Sequence, residues 1–170
     1  VTDTEEIIRC QLPTSVGGVR ALAGVIGWPI SHSLSPRLHD YWLREYSIDG
    51  AYVPLAIEPK NFSAVFSTLP KMGFSGWNIT VPHKEAAFRE VTKTDEHAAK
   101  VGAVNTVVVT GDGNTMGWNT DGLGFLENLW TEEPDWDPLA RPAVVVGAGG
   151  AAKSVAWALA DVGVPELRIV

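Results

Sequence analysis

Apolar residues along this chain alternate between short continuous runs and runs at helical spacing. Residues 22–27 are a nearly unbroken apolar run, read as a buried strand, followed by the polar stretch 31–35. From Pro36 onward Leu38, Trp42, Leu43 and Tyr46 recur at helical spacing, which predicts an amphipathic helix facing a core. A strand is predicted over 51–55 and a helix over 59–72, with Phe62, Val65, Phe66 and Leu69 on one side and Gly73 as its stop. A strand over 76–81 runs into a helix opening at Pro82 and continuing over 84–91. Residues 103–110 and 115–118 predict a hairpin around Gly111-Asp112-Gly113-Asn114. Then come a helix over 120–130, an acidic proline-bearing linker over 131–142, a buried strand over 143–146, a glycine turn, a helix over 151–162 and a strand from 167. Strands alternating with helices imply an α/β fold built on a mostly parallel sheet.

Composition narrows the class. The 170 residues are 45% hydrophobic and 19% charged, as expected of a folded globular chain. The net charge of −7 argues against broad binding to nucleic acid or to anionic membrane, so an anionic ligand must be held by local groups. The seven tryptophans mostly follow core spacing, which argues against a stacking platform for nucleic acid. Cys10 is the single cysteine, which excludes an internal disulfide and fits a reducing cytoplasm. No Cys/His spacing resembles a zinc site, and His32, His39, His83 and His97 share no metal spacing; they are read as surface residues or residues behind a site. The longest apolar stretch, 143–152, falls well short of the roughly 20 residues that span a bilayer. Asp3, Glu5 and Glu6 speak against a signal peptide, and the start at Val1 is read as a missing or processed terminus.

Candidate chemistry centres on Asn78-Ile79-Thr80-Val81-Pro82-His83-Lys84, which puts a cation in the first turn of a helix, against the helix dipole. Lys84 there either reaches to solvent or is held for chemistry. Asn119-Thr120-Asp121 offers a carboxylate to pair with it, unless Asp121 merely caps the following helix at Gly122. An ammonium beside a carboxylate stays protonated and can donate a proton to a developing alkoxide. Ser33-Leu34-Ser35-Pro36 suits a helix cap by Ser35, and also an anion site; both hold together if Ser33 does the binding. Asn78, Thr80 and Asn105 lie at strand ends, where they suit either hydroxyl groups of a ligand or local turns. Gly147-Ala148-Gly149-Gly150-Ala151-Ala152, between a predicted strand and helix, fits a dinucleotide-binding turn, with a tight strand–helix turn as the alternative. The position that separates NAD from NADP falls at or beyond Val170, and a single βαβ unit does not complete a nucleotide-binding sheet, so the chain is read as a fragment.

Taken together, Ser33-Leu34-Ser35-Pro36, the Asn78–Lys84 stretch, Gly102-Ala103-Val104-Asn105-Thr106, Asn119-Thr120-Asp121-Gly122 and Gly147-Ala148-Gly149-Gly150-Ala151 resemble the shikimate dehydrogenase family from Gly24 onward. The resemblance implies an N-terminal α/β substrate-binding domain over 1–121, followed by a linker helix and the truncated start of a Rossmann NADP-binding domain over 122–170. It implies NADPH-dependent, reversible reduction of 3-dehydroshikimate to shikimate in aromatic amino-acid biosynthesis, in the cytoplasm, by a monomer or homodimer. Ser33 and Ser35 would bind the substrate carboxylate, and Thr80, Asn105 and Asp121 the ring hydroxyls. Lys84 with Asp121 would be the acid/base pair, and residues Gly147, Ala148, Gly149, Gly150 and Ala151 would hold the cofactor. Oxidation is then expected to accelerate toward alkaline pH, because Lys84 must first lose a proton. The later nucleotide-domain strands, the basic contacts to the 2′-phosphate and a late glutamine of the family have no counterpart here, so the fragment is expected to bind substrate poorly or be inactive. A quinate/shikimate dehydrogenase using NAD is the nearest rival, with Ser35 leaning toward shikimate; a non-catalytic shikimate-binding module is the rival of another class.

Overall fold

The structure, a computed structural model, describes residues 21–170. Its elements in chain order are β1 (Ala21–Gly27), α1 (Ser35–Glu45), β2 (Gly50–Ala56), α2 (Phe62–Phe66), β3 (Phe74–Ile79), α3 (Lys84–Glu90), β4 (Lys93–Thr94), α4 (Glu96–Val101), β5 (Thr106–Val109), β6 (Thr115–Trp118), α5 (Asp121–Glu132), β7 (Ala143–Val145), α6 (Gly150–Asp161) and β8 (Leu167–Ile169). Six strands form one sheet in the order β2-β1-β3-β5-β6-β4. β1 pairs in parallel with β2 and β3, β4 pairs in parallel with β6, and β5 runs antiparallel to both β3 and β6. β7 and β8 form a separate parallel pair joined by α6, a βαβ unit. No helix among the described residues is long and apolar enough to cross a membrane. Cys10 lies outside the described residues.

The main core fills the space between the sheet and α2–α4, with Ile26, Phe62, Phe66, Leu69, Trp77, Ile79, Ala87, Val104 and Val107 buried together. A second core, built from Leu126, Val145, Ala158 and Leu159, joins α5 to the βαβ unit. α5 and α6 meet closely at Gly122. A Cβ there would stand 2.7 Å from the Ser154 carbonyl oxygen and 3.0 Å from the Ala158 Cβ. Glycine is therefore what lets these two helices touch.

Several sequence expectations need correction. The helix expected over 59–72 is broken into 3-10 turns at Pro59–Asn61 and Leu69–Met72 around the short α2. Pro70 has no N–H to continue the ladder, and Gly73, at φ +86°, ends the segment as expected. α1 buries no residue: Leu38, Trp42 and Tyr46 are exposed, because the helix packs over β2, the edge strand, with β1 as the other strand beneath it. Of the seven tryptophans Trp77 alone is buried in the core. The sequence pattern does not predict β4 and α4, although Asp95 caps α4 by accepting from the Ala98 amide at 3.0 Å and Gly102 closes it at φ +68°.

Candidate active site

Topology gathers the polar residues at one edge of the sheet. β1 and β3 are parallel, so the loops after Gly27 and after Ile79 leave on the same side. β5 is antiparallel to β3 and β6 antiparallel to β5, so the residues entering β5 and leaving β6 return to that side. Asn78 lies across from Thr106, and Thr106 across from Trp118, which brings Thr80, Asn105 and Asp121 together. A cavity of about 580 Å³ opens there, lined by Ser33, Ser35, Asn78, Thr80, Lys84, Asn105 and Asp121, with His32 and His39 on its wall. All six residues singled out for substrate contact line this one space.

Lys84 is the first residue of α3, whose opening differs from the expectation. The Val81–Pro82 peptide is cis, and Pro82 sits inside a turn closed by the His83 amide donating to the Thr80 carbonyl at 3.0 Å. The helix therefore begins at Lys84 rather than Pro82. Its backbone is tied down by the Val104 amide, which donates to the Lys84 carbonyl at 2.9 Å. Lys84 Nζ donates to Asp121 Oδ2 at 2.5 Å, with the two side chains 13% and 25% exposed. Lys84 is thus turned into the cavity rather than to solvent, and the carboxylate offsets its unfavourable place at the helix N-terminus.

Asp121 does not cap α5: it is the first helical residue, and its own amide donates to Asn119 Oδ1 at 3.1 Å. Its second oxygen accepts from Asn105 Nδ2 at 2.8 Å. Asn105 in turn accepts at Oδ1 from the Thr120 amide at 3.1 Å and from Thr106 Oγ1 at 3.0 Å. These bonds fix which end of the Asn105 amide faces Asp121. Asn78 is held in the same way: Nδ2 donates to Thr106 Oγ1 at 3.1 Å, and Oδ1 accepts from the Tyr52 hydroxyl at 2.6 Å. Burial pushes the Tyr52 phenol up from its ordinary value, so it stays a donor.

On the opposite wall, Ser35 does not cap α1. The Ser35 amide donates to Ser33 Oγ at 3.3 Å, and Ser35 is the first helical residue after Leu34. His39 Nδ1 bonds the Ser35 carbonyl at 2.9 Å and its ring stacks on Tyr52 at 3.8 Å. His83 is buried rather than at the surface: Nε2 donates to the Ile57 carbonyl at 2.7 Å and the ring stacks on Phe62. Burial lowers its pKa from 6.5, against the opposing effect of the Ile57 bond.

Residues 25–107 match the family model described as the shikimate dehydrogenase substrate binding domain. The shikimate dehydrogenase (NADP(+)) of Paramagnetospirillum magneticum is 56% identical over 154 residues, which cover 91% of this chain and 56% of that relative. The chain belongs to the shikimate dehydrogenase family. Among solved structures, the shikimate dehydrogenase of Aquifex aeolicus superposes with a TM-score of 0.81 at 32% identity, covering 91% of this chain and 56% of that one. The Thermus thermophilus enzyme, solved in complex with shikimate, gives 0.78 at 36% identity, covering 88% and 55%. The chain spans about half the length of the curated relatives it matches.

Across a cleft from Lys84 lies the glycine turn that the sequence reading offers for a dinucleotide. Gly147 sits at φ +107°, a backbone state that favours glycine, and a Cβ on Gly149 would meet nothing within 4 Å. That open space in front of the α6 N-terminus fits a pyrophosphate. Gly150 faces the other way, where a Cβ would stand 3.3 Å from the Lys84 Cβ. A cavity of about 300 Å³ separates the two halves, lined by Val81, Pro82, Lys84 and Glu85 on one side and Gly149, Gly150 and Ala151 on the other. Sequence reasoning assigns Tyr52 no role and reads His39 as a surface residue or one behind a site. The Tyr52 bond to Asn78 and the stacking of His39 on Tyr52 join separate segments, so neither leaves a motif signal.

Proposed function

We propose that the protein carrying this chain is an NADP-dependent shikimate dehydrogenase, reversibly reducing 3-dehydroshikimate to shikimate in cytoplasmic aromatic amino-acid biosynthesis. In this reading residues 1–121 form the substrate-binding part, and residues 122–170 open the dinucleotide-binding part. The observation that carries it is the 2.5 Å Lys84–Asp121 pair facing Ser33 and Ser35 across one cavity, beside the cleft that leads to the glycine turn. Relatives named for shikimate and NADP(+) supply the substrate and cofactor.

Gly147, Ala148, Gly149, Gly150 and Ala151 would hold a dinucleotide, which would supply or accept hydride. Ser33 and Ser35 orient the substrate by its carboxylate, and Thr80 and Asn105 bind ring hydroxyls. Asp121 accepts from Lys84 and Asn105 at once and so fixes the direction of the ammonium. Lys84 Nζ donates a proton to the ketone oxygen as charge develops there and takes it back in the oxidising direction. Among the described residues Nζ has Asp121 as its one hydrogen-bond partner, leaving two N–H groups for substrate.

The test is NADP⁺-dependent oxidation of shikimate, followed by NADPH absorbance, in the enzyme that carries this chain. Lys84→Ala is expected to lower kcat by at least about 100-fold, the usual contribution of a general acid/base. A variant that keeps most of its kcat would remove Lys84 from the chemistry.

A further inference from the structure

Lys153 stands in the wrong place for helix stability. It lies in the first full turn of α6, where a cation opposes the helix dipole. Side chains on a helix lean toward its N-terminus, so this ammonium reaches back toward the glycine turn. Here it meets Glu85, in the first turn of α3, with Lys153 Nζ donating to Glu85 Oε1 at 2.6 Å. Glu85 lines the same 300 Å³ cleft as Gly149, Gly150 and Ala151. The ion pair therefore joins the two halves at the mouth of the cleft, and both side chains stay nearly half exposed, free to change partner.

We propose that Lys153 is a phosphate-contacting residue held in reserve by Glu85: when a dinucleotide enters, Lys153 turns from the carboxylate to the pyrophosphate. The proposal rests on the dinucleotide reading above and adds two residues to it. Its logic is electrostatic. A pyrophosphate brings more negative charge than one carboxylate, and it arrives where the α6 amides already favour an anion. Glu85 gains nothing from that arrival, since it is a like charge at the same mouth. The Lys153 hydrogen bond and charge hold the Glu85 carboxyl below its ordinary range, against a small effect of burial, so Glu85 is a carboxylate at neutral pH.

An ordinary structural bridge and this competition predict different signs. Removing either partner of a bridge loosens the same contact and moves affinity the same way. In a competition, Glu85→Gln frees Lys153 and tightens binding, whereas Lys153→Gln weakens it. Charges this exposed are worth about 0.5–1 kcal/mol, so each shift is expected to be about two- to fivefold in Kd, in opposite directions. Both shifts should shrink as salt is raised.

The experiment is calorimetric titration of the protein that carries this chain, as wild type, Glu85→Gln and Lys153→Gln, with NADP⁺ and, separately, with inorganic pyrophosphate. Opposite shifts with NADP⁺ support the inference. Opposite shifts with pyrophosphate but no NADP⁺ binding would leave Lys153 a phosphate contact and overturn both the cofactor reading and the exchange proposed for a dinucleotide. Shifts of the same sign, no shift, or a wild type that binds neither probe at millimolar concentration overturn it. NADP⁺ bound with same-sign shifts would reject the inference and leave the cofactor reading standing. A second readout is the Glu85 carboxyl followed by NMR: its pKa should rise on adding pyrophosphate, as Lys153 leaves, and a value unchanged at saturation contradicts the exchange.

Discussion

Asp121→Asn isolates the hydrogen-bond logic of the site. Both Asp121 oxygens accept, one from Lys84 and the other from Asn105. Asparagine offers one acceptor and one NH₂, so it can serve one of these donors and must oppose the other. Asn105 has no escape by turning over, because its own oxygen already accepts from the Thr120 amide and Thr106. The variant loses one charge-assisted bond and leaves two donors facing each other, which costs about 1.5–3 kcal/mol. In a domain of this size 1 kcal/mol moves Tm by about 2–4 °C, so a drop of several degrees is expected in a thermal melt, with a lower midpoint in urea. The decisive control is the double exchange, Asn105→Asp together with Asp121→Asn. The carboxylate now at position 105 accepts from the amide at position 121 and still accepts from the Thr120 amide. The amide oxygen at position 121 then accepts from Lys84. Donors and acceptors match again, and the double variant should recover most of the lost stability. A single variant as stable as wild type, or a double variant no better than the single, would refute this account of Asp121.

Other perturbations test the surrounding frame. His83 has a folded-state pKa below its ordinary 6.5, so its share of stability is complete above that pH and is lost as pH falls through it. The slope is at most about 1.4 kcal/mol per pH unit, and His83→Gln should flatten the fall of the urea midpoint below pH 6.5. Tyr52 titrates in the opposite sense: its raised pKa makes stability fall as pH rises above about 10, and Tyr52→Phe should remove that dependence while costing about 1 kcal/mol for the bond to Asn78. Gly122→Ala places a methyl against the Ser154 carbonyl and Ala158, and should lower stability by about 1–3 kcal/mol in the same melts.

Local signals make most of the fold legible without the structure. Val25, Ile26 and their neighbours announce a buried strand by continuity, Gly73 a helix stop, and Gly113 a hairpin turn; all hold. What local signals cannot say is which face another element covers. The α1 stripe of Leu38, Trp42 and Tyr46 has a helical period, yet it lies over an edge strand and stays exposed. The same limit applies at the site. Lys84 and Asp121 are legible because each breaks a local preference or completes a family motif, and the sheet brings them into contact. Tyr52 and the burial of His83 depend on bonds to Asn78 and Ile57 from separate segments, which no local spacing encodes.

The most direct test of the central claim is a tryptophan-fluorescence titration of the protein that carries this chain with shikimate and quinate in parallel, repeated on Ser33→Ala and Lys84→Ala. Saturable binding that prefers shikimate and weakens in both variants is the predicted result. A folded protein that binds neither acid, or binds shikimate equally well without Ser33 and Lys84, would contradict the assignment of this cavity as the substrate site.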